Sequence, residues 1–193
     1  MVKRLYIIYG CHGAGKTTLA KNVLQQFGEI KEYKNEYGTY TTSKNNEYVA
    51  VGQYHSKCGG ADSIKTTDLY FKMIDFLFKE YPNSTVICEG IFLSGLFSKP
   101  LKHFLRYKYD KNIEITQILL YADVATSYKR VYYRNNIHPK EQNIINKQKS
   151  VTRTFLKFQE LCEFNSIIIN TENKTSDQVF KEFKERINNV KRG

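Results

Sequence analysis

Eight residues near the start of the chain, Gly10-Cys11-His12-Gly13-Ala14-Gly15-Lys16-Thr17, have the types and spacing that bind phosphate. A glycine, four free positions and then Gly-Lys-Thr let the backbone wrap closely and turn its N–H groups onto an anion. The positive end of a helix opening near Lys16 adds to that field. In such a loop Lys16 reaches the β- and γ-phosphates of a nucleotide, and the Thr17 hydroxyl ligates Mg²⁺. Gly10, Gly13, Ala14, Gly15, Lys16, Thr17 and Thr18 are therefore the expected nucleotide-binding residues, with Thr18 on the α-phosphate. The ligands this chemistry implies are ATP and Mg²⁺. Cys11 and His12 fill variable positions, and His12 is read as spacing.

Transfer of a phosphoryl group also needs a metal partner or base, and positive charge beside the transferring group. Glu89 follows the apolar run Val86-Ile87-Cys88, at the carboxyl end of an expected strand, where parallel-sheet proteins place such groups. It could hold Mg²⁺ through water or accept a proton. Arg130 and Arg134 are four residues apart, hence on one helix face. Lys16, Glu89, Arg130, Arg134 and Asp62 form the expected catalytic set, and Thr17 with Glu89 the metal-binding pair. Arg153 is a weaker third arginine.

The elements that must position these residues can be read from periodicity. Arg4 to Tyr9 is a short apolar run, as a buried parallel strand should be. Lys16 to Phe27 has helical spacing and stops at Gly28. Tyr37 to Ser43 and Tyr48 to Tyr54 alternate and predict an antiparallel hairpin. Thr66 or Thr67 should cap a helix running to Phe78. Further strands are expected at Thr85 to Cys88, Ile113 to Ala122 and Ser166 to Asn170. Helices are expected at Leu101 to Tyr107, Asp123 to Arg134, Val151 to Glu163 and Ser176 to Val190. Asn135 to Lys149 is polar and irregular, and is read as a mobile loop. Strands alternating with helices imply an α/β fold, a mostly parallel five-stranded sheet with helices on both faces and a β-hairpin insert after the first helix. Residues 1–193 should form a single domain, with the insert at about 37–66 and a lid at about 130–150.

The segment Gly52-Gln53-Tyr54-His55-Ser56-Lys57-Cys58-Gly59-Gly60-Ala61-Asp62 lies between the first helix and the Glu89 strand. Rich in glycine and polar groups, it suits a loop that approaches a ligand. Asp62 or His55 could orient or deprotonate a hydroxyl, and Tyr54 could stack on a base. The choice of base among Glu89, Asp62 and His55 stays open.

With these residues in view, the chain resembles the P-loop kinases of the nucleotide-kinase type, and so implies the P-loop NTPase fold. The Arg130–Arg134 pair resembles the lid arginines that clamp ATP phosphates in nucleoside monophosphate kinase-like enzymes. Gly52-Gln53-Tyr54 followed by Cys58-Gly59-Gly60-Ala61-Asp62-Ser63-Ile64-Lys65-Thr66-Thr67-Asp68 is similar to a segment of the phage 5-hydroxymethyluracil DNA kinases. Gln53 and His55 stand where that family has Arg and Asp. The resemblance implies an ATP-dependent kinase acting on the 5-hydroxymethyl group of a modified pyrimidine in DNA, as in bacteriophage DNA modification. The alternative is a nucleoside or nucleoside monophosphate kinase acting on free nucleotide.

Charge bears on that choice. The 193 residues carry a net charge of +11, which favours anionic partners. Thirteen basic and four acidic residues lie between Lys99 and Lys157, interleaved with Tyr107, Tyr109, Tyr128, Tyr132 and Tyr133. Such a 99–157 stretch could track DNA, or be only the solvated surface of a lid. Cys11, Cys58, Cys88 and Cys162 have neither zinc nor disulfide-framework spacing and are read as reduced thiols in a cytoplasmic protein. The N-terminal apolar run is too short for a signal peptide. No segment approaches the ~18 apolar residues of a membrane span, so no membrane contact is expected.

Overall fold

The computed structural model describes residues 2–55, 59–61, 64–90 and 97–190. Seven strands form one sheet: β1 (Arg4–Tyr9), β2 (Lys31–Asn35), β3 (Gly38–Thr42), β4 (Tyr48–Val51), β5 (Thr85–Glu89), β6 (Glu114–Tyr121) and β7 (Asn165–Asn170). The helices described are α1 (Lys16–Gln25), α2 (Thr67–Glu80), α3 (Ser98–Leu105), α4 (Val124–Asn135), α5 (Glu141–Cys162) and α6 (Ser176–Val190). A π-helical turn, Arg106–Asp110, extends α3.

The strand order is β2-β3-β4-β5-β1-β6-β7. β4, β5, β1, β6 and β7 are mutually parallel neighbours, while β2 and β3 run antiparallel at one edge. The sheet thus has seven strands, not the five expected. Nor is the hairpin a separate insert, because β4 pairs with β5 in parallel and continues the main sheet. β2 escaped the sequence reading for a physical reason. Its Lys-Glu-Tyr-Lys-Asn has no apolar face, as suits a mostly exposed edge strand.

Alternation along β1 divides the core. Leu5, Ile7 and Tyr9 pack with Phe71, Ile74 and Phe78 of α2, Phe104 of α3 and Phe155 and Phe158 of α5. Tyr6 and Ile8 pack on the other face with Leu19, Val23 and Leu24 of α1 and Phe183 and Ile187 of α6. Both faces of the sheet are therefore covered, and the strands can be apolar throughout.

Local signals set the helix starts. The Thr66 side chain accepts from Leu69 N at 3.2 Å, and Asp123 accepts from Thr126 N at 2.6 Å. That bond holds the Asp123 carboxyl below its ordinary pKa. α4 ends at Asn136 in the left-handed region (φ 52°). The expected mobile loop from Asn135 to Lys149 is then mostly helix: only residues 136–140 separate α4 from α5. α5 begins ten residues earlier than its apolar pattern indicated, because Ile144 is the one fully buried apolar residue in its first two turns. Gln148 Nε2 donates to Ala122 O at 3.1 Å, tying this part of α5 to the end of β6. Among the described residues no helix is long and apolar enough to cross a membrane.

Candidate phosphate-binding and transfer site

The loop between β1 and α1 leaves the sheet at the carboxyl end of β1, the middle one of the five parallel strands. Gly13 has φ +78°, and a Cβ there would meet Ser127 O of α4 at 2.6 Å. Only glycine lets the loop lie this close to α4. Cys11 Sγ lies 3.3 Å from Ser127 Oγ, a second contact between the two. Lys16 Nζ donates to Cys11 O at 3.1 Å, which keeps the ammonium over the loop. α1 opens directly behind, with Gly15 as its N-cap.

The expected nucleotide-binding residues, Gly10, Gly13, Ala14, Gly15, Lys16, Thr17 and Thr18, all line one cleft of about 690 Å³. Glu89, Arg130 and Arg134 line it too, so the structure brings together every described member of the expected set. Asp62 lies outside the described residues. Arg153 is exposed on α5 and does not line the cleft.

The two arginines are held differently. Arg130 donates to Gly13 O at 3.2 Å, to Thr171 Oγ1 at 3.0 Å and to Thr171 O at 2.7 Å. It therefore braces the loop against the end of β7. Arg134 is exposed and donates to Asn135 Oδ1 at 3.2 Å.

Glu89 ends β5, in register with Ile8 of β1, and is buried. Tyr70 supports it by donating to Glu89 O at 3.1 Å. The loop that follows β4 closes over this carboxylate. Gln53 and Gly60 form an isolated antiparallel bridge. Gly60 has φ +90°, and a Cβ on it would meet Glu89 Oε1 at 2.7 Å. Gly59 lies against Thr17, whose Cγ2 would be 3.2 Å from an added Cβ. Gly59 and Gly60 thus span the two oxygen-bearing side chains expected to hold a metal. The Glu32 Oε1 on β2 accepts from the backbone of Tyr54 at 2.6 Å and of His55 at 2.9 Å, anchoring the loop at its start.

Two expectations for this loop need correction. Tyr54 is fully buried, so its ring is core and not a stacking platform. His55 is exposed and does not line the cleft. The basic 99–157 stretch also divides. Lys99 pairs with Asp68 at 2.8 Å, and Arg106 and Lys111 pair with Asp75 at 2.7 and 2.6 Å. Tyr107 is buried among them. Positive charge is therefore directed to the cleft from α4 and α5, not from α3.

Sequence reasoning did not assign Thr171, Lys147 or Lys174 to the cleft. Thr171 could have been found, since it follows a strand at the carboxyl edge of the sheet. Lys174 pairs with Glu182 at 2.7 Å. Lys147 became a cleft residue only once its segment proved helical. Burial and the charge of Lys16 both push the Lys147 ammonium below its ordinary pKa. Among the described residues lining the cleft, Lys16, Arg130, Arg134, Lys147 and Lys174 are cationic and Glu89 alone is acidic. This arrangement suits a polyphosphate.

No family model matches the chain. A 5-hmdU DNA kinase of Bacillus phage SP10 is 36% identical over 92 residues, a match covering 47% of this chain and 14% of that protein. Thus the match spans about a seventh of the phage protein's length. Among solved structures, a sugar kinase from Janibacter sp. HTCC2649 superposes with a TM-score of 0.52 at 13% identity, covering 96% of this chain and 95% of that one. Deoxyadenosine kinase from M. mycoides with bound dCTP gives 0.50 at 12% identity, covering 96% and 99%. The chain has the fold of the P-loop kinases and is similar in sequence, over part of its length, to a phage 5-hmdU DNA kinase.

Proposed function

We propose that this chain is an ATP-dependent kinase that transfers the γ-phosphoryl group to the 5-hydroxymethyl group of a modified pyrimidine in DNA. The observation that carries the reading is the Gly59-Gly60 approach to Thr17 and Glu89. A loop that only had to hold nucleotide would have no need of a second loop pressed onto its metal-binding edge. An acceptor side built there supports transfer over hydrolysis. DNA as acceptor is supported by the similarity to the phage 5-hmdU DNA kinase and by the Gly52 to Asp68 pattern.

The donor set fits Mg²⁺. The Thr17 hydroxyl is an oxygen ligand of the kind that cation takes alongside phosphate oxygens and waters, and the buried Glu89 carboxylate can meet that shell through a water, which leaves it able to accept a proton. Bound there, Mg²⁺ would neutralise charge on the β- and γ-phosphates. The chain's own residues do the rest. The loop amides and Lys16 hold the phosphates, and Arg130 keeps the loop in its wrapped form. Gly60 brings acceptor-loop backbone against Glu89, so a hydroxyl presented by that loop meets a carboxylate that can take its proton. Closing the cleft excludes water, which would otherwise compete as acceptor.

The test offers γ-labelled ATP and Mg²⁺ with three acceptors: 5-hydroxymethyluracil DNA, unmodified DNA and free nucleotides. Label in the modified DNA alone, falling steeply with salt, is the expected result. Label only in a free nucleotide would replace this reading with that of a nucleotide kinase.

A further inference from the structure

We propose that Lys147 is a phosphate-binding residue of the transfer site, sharing the terminal phosphoryl group of the nucleotide with Lys16. The inference rests on the kinase reading above and adds to it a residue that neither the loop motif nor the arginine pair contains.

Among the described residues the cleft has five cations, and four of them have a defined protein partner. Arg130 is bound to Gly13 O and Thr171. Lys174 is paired with Glu182. Arg134 bonds Asn135, and Lys16 bonds Cys11 O. Lys147 lines the same cleft from α5 with no ion pair to any carboxylate among the described residues. It is half-buried and lines the same cleft as Lys16, so two ammonium-bearing side chains share one space. Holding like charges together away from water is unfavourable unless an anion lies between them. The bond from Gln148 to Ala122 O fixes this turn of α5 at the carboxyl edge of the sheet, level with the phosphate loop. The backbone position from which Lys147 reaches the cleft is therefore set by the helix.

In the transfer step, the bond from the γ-phosphorus to the β,γ-bridging oxygen breaks and its electron pair stays on the β-phosphate of ADP. A bond forms from the acceptor oxygen to phosphorus, and the acceptor proton passes to Glu89. Lys147 keeps its protons throughout. It neutralises the non-bridging oxygens, on which charge is concentrated as the group transfers. A contact to the γ-phosphate exists with ATP and is absent with ADP.

The experiment measures ATP and ADP affinity by calorimetry, and single-turnover transfer, for the intact chain and for Lys147→Ala, Lys147→Gln and Lys147→Arg. Thermal melting checks that each variant is folded. Loss of a charge-assisted contact should weaken ATP about tenfold and leave ADP within about twofold. Transfer should slow about 100-fold in the Ala and Gln variants, and Arg should restore most of it. Unchanged ATP affinity, or equal losses for ATP and ADP in folded variants, would overturn the proposal. If the unmodified chain phosphorylates no acceptor, the kinase reading fails. The ATP-against-ADP difference would still decide whether Lys147 meets the γ-phosphate.

Discussion

The two sides of the cleft are held in place by different means. On the phosphate side, regular elements carry the groups: Lys16 starts α1, Arg130 lies on α4 and Lys147 on α5, with Arg130 tying loop, helix and strand end together. On the proposed acceptor side, the described residues of the loop are held by the isolated bridge at Gln53–Gly60, by the Glu32 carboxylate and by the close fit of Gly60 on Glu89. Rigid elements hold charges where a polyphosphate of fixed shape needs them. A loop outside the sheet can change its sequence without disturbing the core, and with it, on the function proposed above, its acceptor. If that contrast is right, lesions on the two sides should separate nucleotide binding from acceptor use.

The largest effect should come from the phosphate side. Lys16→Ala removes the loop's own ammonium from the transferring group and should lower transfer by about 1,000-fold with the melting temperature little changed. Rapid-quench assays with labelled ATP would measure it. A loss below about tenfold would mean that Lys147 or an arginine carries the charge that the motif assigns to Lys16.

Gly60→Ala probes the seam between the two sides. Its φ of +90° disfavours a side chain, and its Cβ would meet the Glu89 carboxylate. Acceptor phosphorylation should fall about 100-fold, as a misplaced reacting group does. ATP affinity should stay within about threefold, because the amides of the phosphate loop are untouched. Parallel loss of ATP binding would show that the seam is part of the nucleotide site and break the proposed division.

How much of this could be read in the sequence follows the same division. The phosphate loop was legible because its chemistry is local: glycines, a lysine and a threonine at fixed spacing behind an apolar strand. The Asp123 cap and the β3–β4 hairpin were legible for the same reason. β2 was not, since Lys31–Asn35 carries no apolar alternation. Nor was the start of α5, where Lys147 and Gln148 turn toward the cleft and the end of β6 in place of a continuous apolar stripe. Tyr54 looked like a surface aromatic because its neighbours are polar, yet its ring fills the core between sheet and α1. Each miss lies where a tertiary contact decides and local pattern carries no sign of it.

A smaller effect is expected from Glu32. Its carboxylate accepts two successive backbone N–H groups at the start of the acceptor loop. Glu32→Ala should raise the acceptor KM about tenfold, consistent with the loss of charge-assisted hydrogen bonds. The KM for ATP and kcat at saturating acceptor should hardly move. Glu32→Gln keeps an accepting oxygen and should recover most of the loss. Equal rises in both KM values would mean that the β2 edge supports the whole cleft.

The smallest effect is a pH dependence on the phosphate side. Lys147 has its pKa lowered by burial and then by Lys16. The folded chain therefore releases this proton at lower pH than the unfolded chain does. The destabilisation is fully present while Lys147 is protonated in both states, and it fades as pH rises through the folded pKa toward the ordinary lysine value. Folding stability should gain a small increment over that alkaline window. Buried tyrosines act in the opposite sense: burial raises the pKa of Tyr6, Tyr9, Tyr70 and Tyr107, so their contribution is lost once unfolded tyrosine ionises. The Lys147 part is isolated by subtracting the pH–stability curve of Lys147→Gln from that of the unchanged chain. The difference should rise with pH without nucleotide. With a non-hydrolysable ATP analogue bound, the anion should raise the Lys147 pKa and flatten the rise. A difference curve with no slope in either condition would place the Lys147 ammonium in ordinary solvent, away from the phosphates.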